Sequence, residues 1–230
     1  MNSKEKSQFL KLYEDLRVAD VRDGFDTLGY HHVGSMNHQI RPLFRTRIRG
    51  IARTVRYVPF RGVIPQMTPE KYWSEWVGMY YRDICPYPWV EDIEEGDIMV
   101  IDQSSVDAGL CGSENTLNCL KRGLMGFVSN GGVRDTDEVI MQKVPFWCQF
   151  VSQKMVQGRL QFDAKDVPVS VGGVLVNPGD IVVADGDGVI VVPLAMAEDV
   201  ARYAHEEHRR DKKNRRKHYE DLGWNPDHTL

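Results

Sequence analysis

The chain has 230 residues, of which 42% are apolar and 27% charged, and its formal net charge is -4. This size and composition are typical of one globular domain, and no run approaches the roughly 20 apolar residues that cross a bilayer. The acidic balance argues against a dedicated nucleic-acid binder. Seven Lys and Arg residues do fall within positions 209–217, a run that we interpret as a solvated helix face.

The expected cellular compartment is inferred from the first residues of the chain and from the spacing of the cysteines. Residues 1–6 open a charged amphipathic segment, so we expect no signal peptide. Four widely spaced cysteines form no C-x-x-C pair, and we expect them to be reduced and mostly buried: Cys85, Cys111, Cys119 and Cys148. We therefore expect a single cytoplasmic domain over residues 1–230.

Two amphipathic helices are predicted at the start of the chain. Apolar residues recur at spacings of three and four from Ser3 to about Leu16, and a second helix covers Val18 to Leu28. The second helix carries aspartates three residues apart on one face, which we interpret as solvated and not as metal ligands: Asp20, Asp23 and Asp26.

A β-branched strand from Arg49 to Val58 is followed by an unusual segment. Residues 59–92 hold five prolines and three of the five tryptophans, with aromatic residues at near-helical spacing. We expect a helical insertion here. Packing into the core is the interpretation that we favour, and a lid or a subunit contact is the functional alternative.

The centre of the chain predicts an α/β arrangement. A buried strand (Gly96–Asp102), a helix (Glu114–Arg122) and a second strand (Gly126–Ser129) follow in the order of a parallel βαβ crossover. Further predicted elements follow: a helix over 136–142, a strand over 145–151, a hairpin of strands 181–184 and 189–192, and a charged C-terminal helix and tail over 195–230.

The segment Gly131-Gly132-Val133-Arg134-Asp135 is the strongest candidate site. It follows a buried strand, and open α/β sheets bind ligands at the carboxyl ends of their strands. Upstream, Gly112-Ser113 precedes a helix whose first N–H groups can bind an anion, with Ser113 as the expected N-cap. The first free N–H groups would be those of three residues, Glu114, Asn115 and Thr116.

These groups suit a metal-assisted reaction on a 2-oxo acid. Asp135 can supply an oxygen ligand to Mg²⁺ or Mn²⁺, and Arg134 can hold a substrate oxygen in a forked hydrogen bond. The metal would act as a Lewis acid on the 2-oxo group and stabilise the enolate that remains when the neighbouring carbon–carbon bond breaks. An ion pair that caps a helix beginning at Thr136 is the structural alternative for Arg134 and Asp135.

The sequence resembles the RraA-like family, which includes the class II 4-hydroxy-4-methyl-2-oxoglutarate / 4-carboxy-4-hydroxy-2-oxoadipate aldolases. The similar stretches are 23–29, 50–55, 96–102, 112–135 and 178–193. The resemblance implies an α-β-β-α sandwich with a central mixed sheet, assembled as a homotrimer or a hexamer with sites between subunits. It also implies a pyruvate-type substrate on Arg134 and on the amides near residues 112–116, with the metal on Asp135.

The chain departs from the family pattern at one position. The family aldolases place an acidic residue 21 positions before the arginine, where this chain has Ser113. Serine cannot act as a carboxylate base, so Glu114 is a candidate replacement. The resemblance also implies an acid from the C-terminal region of a neighbouring subunit, for which Glu206 and Glu207 are both candidates.

Three functions follow from these observations. The first is a metal-dependent aldolase or decarboxylase that releases pyruvate. The second is a non-catalytic regulator that binds ribonuclease E, as some RraA-like proteins do. The third is a lyase or hydratase that acts on a sugar-derived acid, because Ser113 and the aromatic insertion would both reshape the pocket.

Overall fold

The computed structural model describes residues 3–230, so Met1 and Asn2, the start of the expected leaderless N-terminus, lie outside it. Within this range the chain forms a nine-stranded mixed sheet and a separate two-stranded ribbon. The strands are β1 Arg41–Pro42, β2 Ile48–Pro59, β3 Asp97–Asp102, β4 Gly109–Cys111, β5 Gly126–Val133, β6 Phe146–Val151, β7 Leu160–Lys165, β8 Val169–Val171, β9 Val174–Val176, β10 Ile181–Asp185 and β11 Gly188–Val192.

The helices lie on both sides of this sheet. They are α1 Ser3–Leu12, α2 Val18–Thr27, α3 Pro69–Lys71, α4 Val77–Met79, α5 Ser113–Leu120, α6 Thr136–Met141 and α7 Ala197–Leu222. Among residues 3–230, no helix is both long enough and apolar enough to cross a membrane.

The main sheet has the strand order β1-β6-β5-β3-β2-β10-β11, with β4 beside β5 and β7 beside β2. The strands β2, β3, β5 and β6 run parallel to one another, and β10 and β11 join as an antiparallel hairpin. Because β3, α5 and β5 follow in the chain and the two strands pair in parallel, the predicted βαβ crossover is confirmed.

Side chains that alternate along the strands pack against helices on one face of the sheet and against an apolar interior on the other. On β10 and β11, alternate residues pack against α2 and α7, including Ile181 and Val183. Their neighbours face an interior cluster shared with β3 and β5, as Val182 and Val100 do. Met99 on β3 faces the opposite way, toward the aromatic insertion. Since side chains alternate along a strand, this order confirms the α-β-β-α sandwich.

The aspartates of α2 do not share one environment. Asp20 is fully buried and binds Arg17 of the same chain segment and His208 of α7, so the expectation of a solvated carboxylate is wrong at this position. The burial of Asp20 could not be predicted from local sequence, because its partner His208 lies 188 positions away. The helix α1 also ends at Leu12, before the expected Leu16.

The aromatic insertion is helical from Pro69 to Ile84, where short α-helical turns alternate with π-helical turns. The side chains of Trp76 and Tyr80 are buried against the sheet. Further along, Trp89 donates from Nε1 to the Tyr57 hydroxyl at 2.9 Å. Core packing, the interpretation that we favoured for this segment, therefore holds for these side chains.

All four cysteines are buried and free, as expected. Burial raises the pKa of the Cys85, Cys119 and Cys148 thiols to about 12. A thiol with such a pKa stays protonated near neutral pH, so these side chains act as small apolar core groups.

Candidate functional site

The candidate site forms where β5 ends beside β4. The strand β5 runs to Val133, past the predicted end at Ser129, because Gly109 and Cys111 of β4 pair with Gly132 and Val133. The glycine pair 131–132 therefore lies inside the strand and not in a loop after it. Arg134 and Asp135 follow directly, at the carboxyl end of a buried strand as expected.

Two glycines make room for the functional pair. A Cβ atom at Gly109 would lie 2.7 Å from the Cβ and Cγ atoms of Arg134. A Cβ atom at Gly112 would lie 2.4 Å from Oδ2 of Asp135. Both distances are shorter than a van der Waals contact, so only glycine allows the two side chains their observed positions.

Asp135 connects the start of α5 to the end of β5. Its backbone has φ 54° and ψ 41°, in the left-handed region that Asp tolerates better than most residues. Its Oδ2 atom accepts from the backbone N of Ser113 at 3.2 Å and from the Ser113 hydroxyl at 3.3 Å. Its Oδ1 atom accepts from Nε of Arg134 at 3.1 Å. The carboxylate thus binds at the N-terminus of α5.

The ion pair of the structural alternative exists between Arg134 and Asp135, but the capping role that this alternative gave it does not. Asp135 occupies the N-cap position of α6, and its side chain makes no cap hydrogen bond to that helix within the described range. The carboxylate instead reaches back 22 residues to Ser113. These two bonds use the Ser113 N–H, one of the amides that we expected near a substrate, and the Ser113 hydroxyl, which we expected to cap α5.

Asp135 is ionised over the physiological pH range. Partial burial raises the pKa of this carboxyl, but the hydrogen bonds from Arg134 and Ser113 outweigh that effect and hold the pKa below its usual value. The side chain is 34% exposed. An ionised, partly exposed carboxylate can still accept on its remaining lone pairs.

A pocket of about 520 Å³ opens over this pair. Its described lining comes from β4, from α5 and from the aromatic insertion, and consists of Tyr81, Tyr87, Val90, Gly109, Leu110, Gly112, Glu114, Asn115, Asn118, Arg134 and Asp135. This size falls within the range of small-molecule sites.

The structure brings together most, but not all, of the residues expected at the site. Gly112, Glu114 and Asn115 line the pocket, and Glu114 is exposed. Thr116 is buried and its N–H donates to the Gly112 carbonyl at 3.1 Å, so the expectation that this N–H is free is wrong. The α-helical bond that closes the first turn takes it.

Ser113 is not the N-cap of α5. Gly112 holds that position, and its N–H donates to Oδ1 of Asn115 at 2.8 Å. Ser113 is already helical and turns its hydroxyl to Asp135. The two C-terminal candidates, Glu206 and Glu207, lie on α7 and are not among the described pocket-lining residues of their own chain.

From the sequence we expected the aromatic insertion to reshape the pocket, but its pattern did not identify which of its residues line it. Tyr81, Tyr87 and Val90 come from the insertion and line the same space as Arg134. The near-helical spacing of aromatic residues in the insertion was the available signal, but it could not show which of them are buried and which line a pocket. The insertion packs into the core and also lines the pocket.

The donor set is compatible with a hydrated hard cation on Asp135. Within residues 3–230, no group of three or more His, Cys, Asp or Glu side chains is placed to hold a metal ion. Mg²⁺ usually keeps several waters and needs only one or two protein carboxylates. Asp135 is ionised and accessible, so it fits that role, whereas a zinc site built only from protein ligands does not fit here.

Comparison with known proteins gives a consistent set of matches. Residues 18–191 match the family model described as RraA-like, Aldolase/RraA. The protein DlpA of Legionella pneumophila is 27% identical over 184 residues, which are 79% of this chain and 27% of DlpA. A Halalkalibacterium halodurans protein named "Putative 4-hydroxy-4-methyl-2-oxoglutarate aldolase" is 33% identical over 114 residues, which are 47% of this chain and 52% of that protein.

A solved structure is similar over a larger share of both chains. Streptomyces coelicolor RraAS2, described as an unusual member of the RNase ES inhibitor RraA protein family, has a TM-score of 0.74 and 25% identity. The match covers 91% of this chain and 98% of that one. By contrast, the chain spans about a quarter of DlpA and about half of the Halalkalibacterium protein.

Proposed function

The chain belongs to the RraA-like family, and we propose that it is a divalent-metal-dependent lyase that cleaves a carbon–carbon bond of a small 2-oxo acid to release pyruvate. The observation that carries this proposal is the shared pocket of Arg134, the ionised Asp135 and the start of α5. Relatives named "Putative 4-hydroxy-4-methyl-2-oxoglutarate aldolase" support a lyase.

Arg134 supplies the substrate-binding group. Its Nε atom donates to Oδ1 of Asp135, which restrains the guanidinium plane and does not use the two Nη groups. A guanidinium binds a carboxylate through two parallel hydrogen bonds. We therefore assign the carboxylate of the 2-oxo acid to Arg134, with the first-turn amides of Glu114 and Asn115 as further donors.

Asp135 would hold Mg²⁺ or Mn²⁺, and a bound cation would supply Lewis-acid stabilisation of negative charge on the 2-oxo oxygen. In an aldol cleavage, the bond between C3 and C4 breaks and its electron pair moves toward the 2-oxo group. The 4-hydroxyl loses its proton and becomes a carbonyl. Glu114, the other carboxylate in the described lining, is our candidate to accept this proton and to return it to C3 of the enolate, which gives pyruvate.

The experiment is turnover of 4-hydroxy-2-oxo acids and of oxaloacetate by the Asp135→Asn variant, with and without EDTA. We expect Asp135→Asn to lower kcat/KM by on the order of 10²-fold or more, because it removes the only charged ligand assigned to the cation. EDTA should abolish wild-type turnover, and Mg²⁺ should restore it. Asp199→Asn, at an exposed ion pair on α7, is the control and should retain activity. Turnover that survives both EDTA and Asp135→Asn would refute the proposal.

The likeness to Streptomyces RraAS2 supports a second candidate, a regulator that binds a ribonuclease. Such a role needs a surface and not the Arg134–Asp135 chemistry. Inhibition of a ribonuclease E-type enzyme by both the wild type and Asp135→Asn, together with no lyase turnover, would favour this candidate.

A further inference from the structure

The insertion gives an aromatic wall to a pocket whose described lining has one cationic side chain, Arg134. We propose that the preferred substrate is a 2-oxo acid with one carboxylate and an apolar or aromatic tail, and that Tyr81 and Tyr87 select this tail. The inference rests on the proposed function, because it concerns the same pocket. It identifies the substrate class that the pocket distinguishes.

The charges around the pocket argue against a second carboxylate on the substrate. The described lining contains one cationic side chain, Arg134, and two carboxylates, Glu114 and Asp135. If Arg134 binds the first carboxylate and a cation on Asp135 binds the 2-oxo oxygen, a second carboxylate finds no further cationic side chain in the described lining and lies near the Glu114 carboxylate. Burying an unpaired charge is strongly unfavourable. A dicarboxylate such as 4-hydroxy-4-methyl-2-oxoglutarate would face this penalty.

Tyr87 presents a fixed aromatic surface. Its hydroxyl donates to the Leu110 carbonyl at 2.8 Å, so the polar end of this side chain is satisfied by the protein. The ring packs against Trp89 and Tyr57, with ring centroids 5.9 Å and 6.1 Å away. What this ring offers to the pocket is therefore apolar area in a rigid position.

Tyr81 continues the same wall and is the more accessible of the two. Its ring centroid is 6.1 Å from that of Tyr87, at an angle of 35°. Its hydroxyl accepts a hydrogen bond from Nε2 of the buried Gln157 at 3.0 Å, which holds the ring in place. The side chain is 36% exposed, so a ligand can cover it. Aromatic groups bind such surfaces through offset or edge contacts.

The remaining lining is consistent with an uncharged tail. Val90 and Leu110 add apolar surface beside the tyrosines, and the amides of Asn115 and Asn118 are neutral. These groups can accommodate a ring or a branched alkyl group and a hydroxyl, but they cannot neutralise an anion.

The experiment measures binding by calorimetry, in the presence of Mg²⁺, of pyruvate, phenylpyruvate and 2-oxoglutarate to the full chain. We expect phenylpyruvate to bind about 10-fold or more tightly than 2-oxoglutarate. Tyr81→Ala should weaken phenylpyruvate binding by about 10-fold and leave pyruvate binding within twofold, since pyruvate has no tail. Tyr81→Phe should retain the preference, and Tyr81→Arg should shift it toward 2-oxoglutarate.

Trp73→Ala is the matched control, because Trp73 is an exposed aromatic residue of the same helical segment and is not among the described lining residues. It should leave all three affinities unchanged. Tighter binding of 2-oxoglutarate than of phenylpyruvate, equal loss of pyruvate and phenylpyruvate affinity in Tyr81→Ala, or no binding of any of the three acids would overturn the inference.

Turnover separates this inference from the proposed reaction. If the binding preference holds but no 4-hydroxy-2-oxo acid is cleaved, the proposed reaction fails and the assignment of ligand class stands. If 4-hydroxy-2-oxo acids are cleaved with a preference for a dicarboxylate over a 4-aryl substrate, the reaction stands and the inference fails.

Discussion

The position of Asp135 depends on the missing side chain at Gly112. A methyl group there would lie 2.4 Å from Oδ2 of the carboxylate and 3.2 Å from Cγ of Arg134. Either the carboxylate or the start of α5 must move to admit it. Because catalytic groups act only when correctly placed, we expect Gly112→Ala to lower kcat/KM by on the order of 10²-fold.

The same substitution should cost about 1–3 kcal/mol in the free energy of unfolding, as overpacked positions usually do. Steady-state kinetics and urea unfolding measure the two effects. Gly78→Ala is the control, because a Cβ atom at this helical position meets no heavy atom within 4 Å. A wild-type value of kcat/KM in Gly112→Ala would mean that Asp135 can shift without loss of activity.

At the residue scale, the sequence predicted where Arg134 and Asp135 lie but not which hydrogen bonds they make. The run of glycines after an apolar strand placed Arg134 and Asp135 at the carboxyl end of β5, and the structure agrees. The bond from Ser113 to Asp135 was not foreseen, because local pattern carries no information about which groups meet across 22 residues. That bond also gives Ser113 a role as a donor to the carboxylate, at the position where the family aldolases carry an acid.

Among the elements, α2 and α7 are joined by a buried polar contact. Asp20 accepts from the backbone N of Arg17 at 2.8 Å, from its Nε atom at 3.0 Å, and pairs with Nδ1 of His208 at 2.9 Å. The helices approach closely beside it, where a Cβ atom at Gly24 would lie 2.5 Å from the Val200 carbonyl oxygen. Charge and packing at this contact are therefore coupled.

This contact should make stability depend on pH. Burial lowers the pKa of His208 below its usual value, and this effect outweighs the attraction of the Asp20 carboxylate. The unfolded chain then binds the proton more readily than the folded one, so His208 lowers stability as the pH falls from about 6.5 toward the folded-state pKa. The pKa of Asp20 is also lowered, but its effect on stability lies below pH 3.8.

We expect the wild-type midpoint of urea unfolding to fall between pH 7 and pH 5, and His208→Gln to flatten this dependence because glutamine does not titrate. His31→Gln is the control, since the His31 side chain is 63% exposed. The midpoint should be followed by circular dichroism at constant ionic strength. An equal pH dependence of the midpoint in the wild type and in His208→Gln would show that titration of this histidine does not cause it.

Strongly periodic elements were predictable, whereas those defined by tertiary pairing were not. The strand β2, the hairpin of β10 and β11 and the helix α2 agree with their sequence patterns within two residues. The end of β5 was missed, because its last residues pair with β4, a three-residue strand too short to show periodicity. The insertion was recognised as helical, but its π-helical turns have no separate sequence signature.

For the whole molecule, the sandwich follows from the alternation of apolar residues, but the composition of the site does not. Alternation fixes which strand residues face the interior and which face helices. It does not show that residues 81–90 fold back over the carboxyl end of β5, which is a consequence of how the insertion packs on the sheet. The substrate class proposed above rests on that packing.

The elements that hold the site also expose apolar side chains. Leu117 of α5 is 38% exposed, and Ile140 and Met141 of α6 are 38% and 81% exposed. The two helices contact each other beside the pocket. Exposed apolar groups that cluster in this way are typical of surfaces that bind another protein. Since the family resemblance implies a trimer or hexamer with sites between subunits, we expect this face to lie in the subunit interface.

We therefore predict that the purified chain is a trimer or hexamer and that Met141→Glu weakens its assembly. The mass of one chain is 26.3 kDa, so light scattering coupled to size-exclusion chromatography should give a mass near three or six times this value for the wild type. A charge at Met141 would have to be desolvated in the interface, which costs several kcal/mol and shifts the distribution toward the monomer.

Leu222→Glu, at an exposed position near the end of α7, is the control and should assemble normally. If Met141→Glu assembles as the wild type does, the interface lies elsewhere. If Met141→Glu dissociates and also loses lyase turnover, while its pocket residues are unchanged, the site requires groups from a neighbouring subunit.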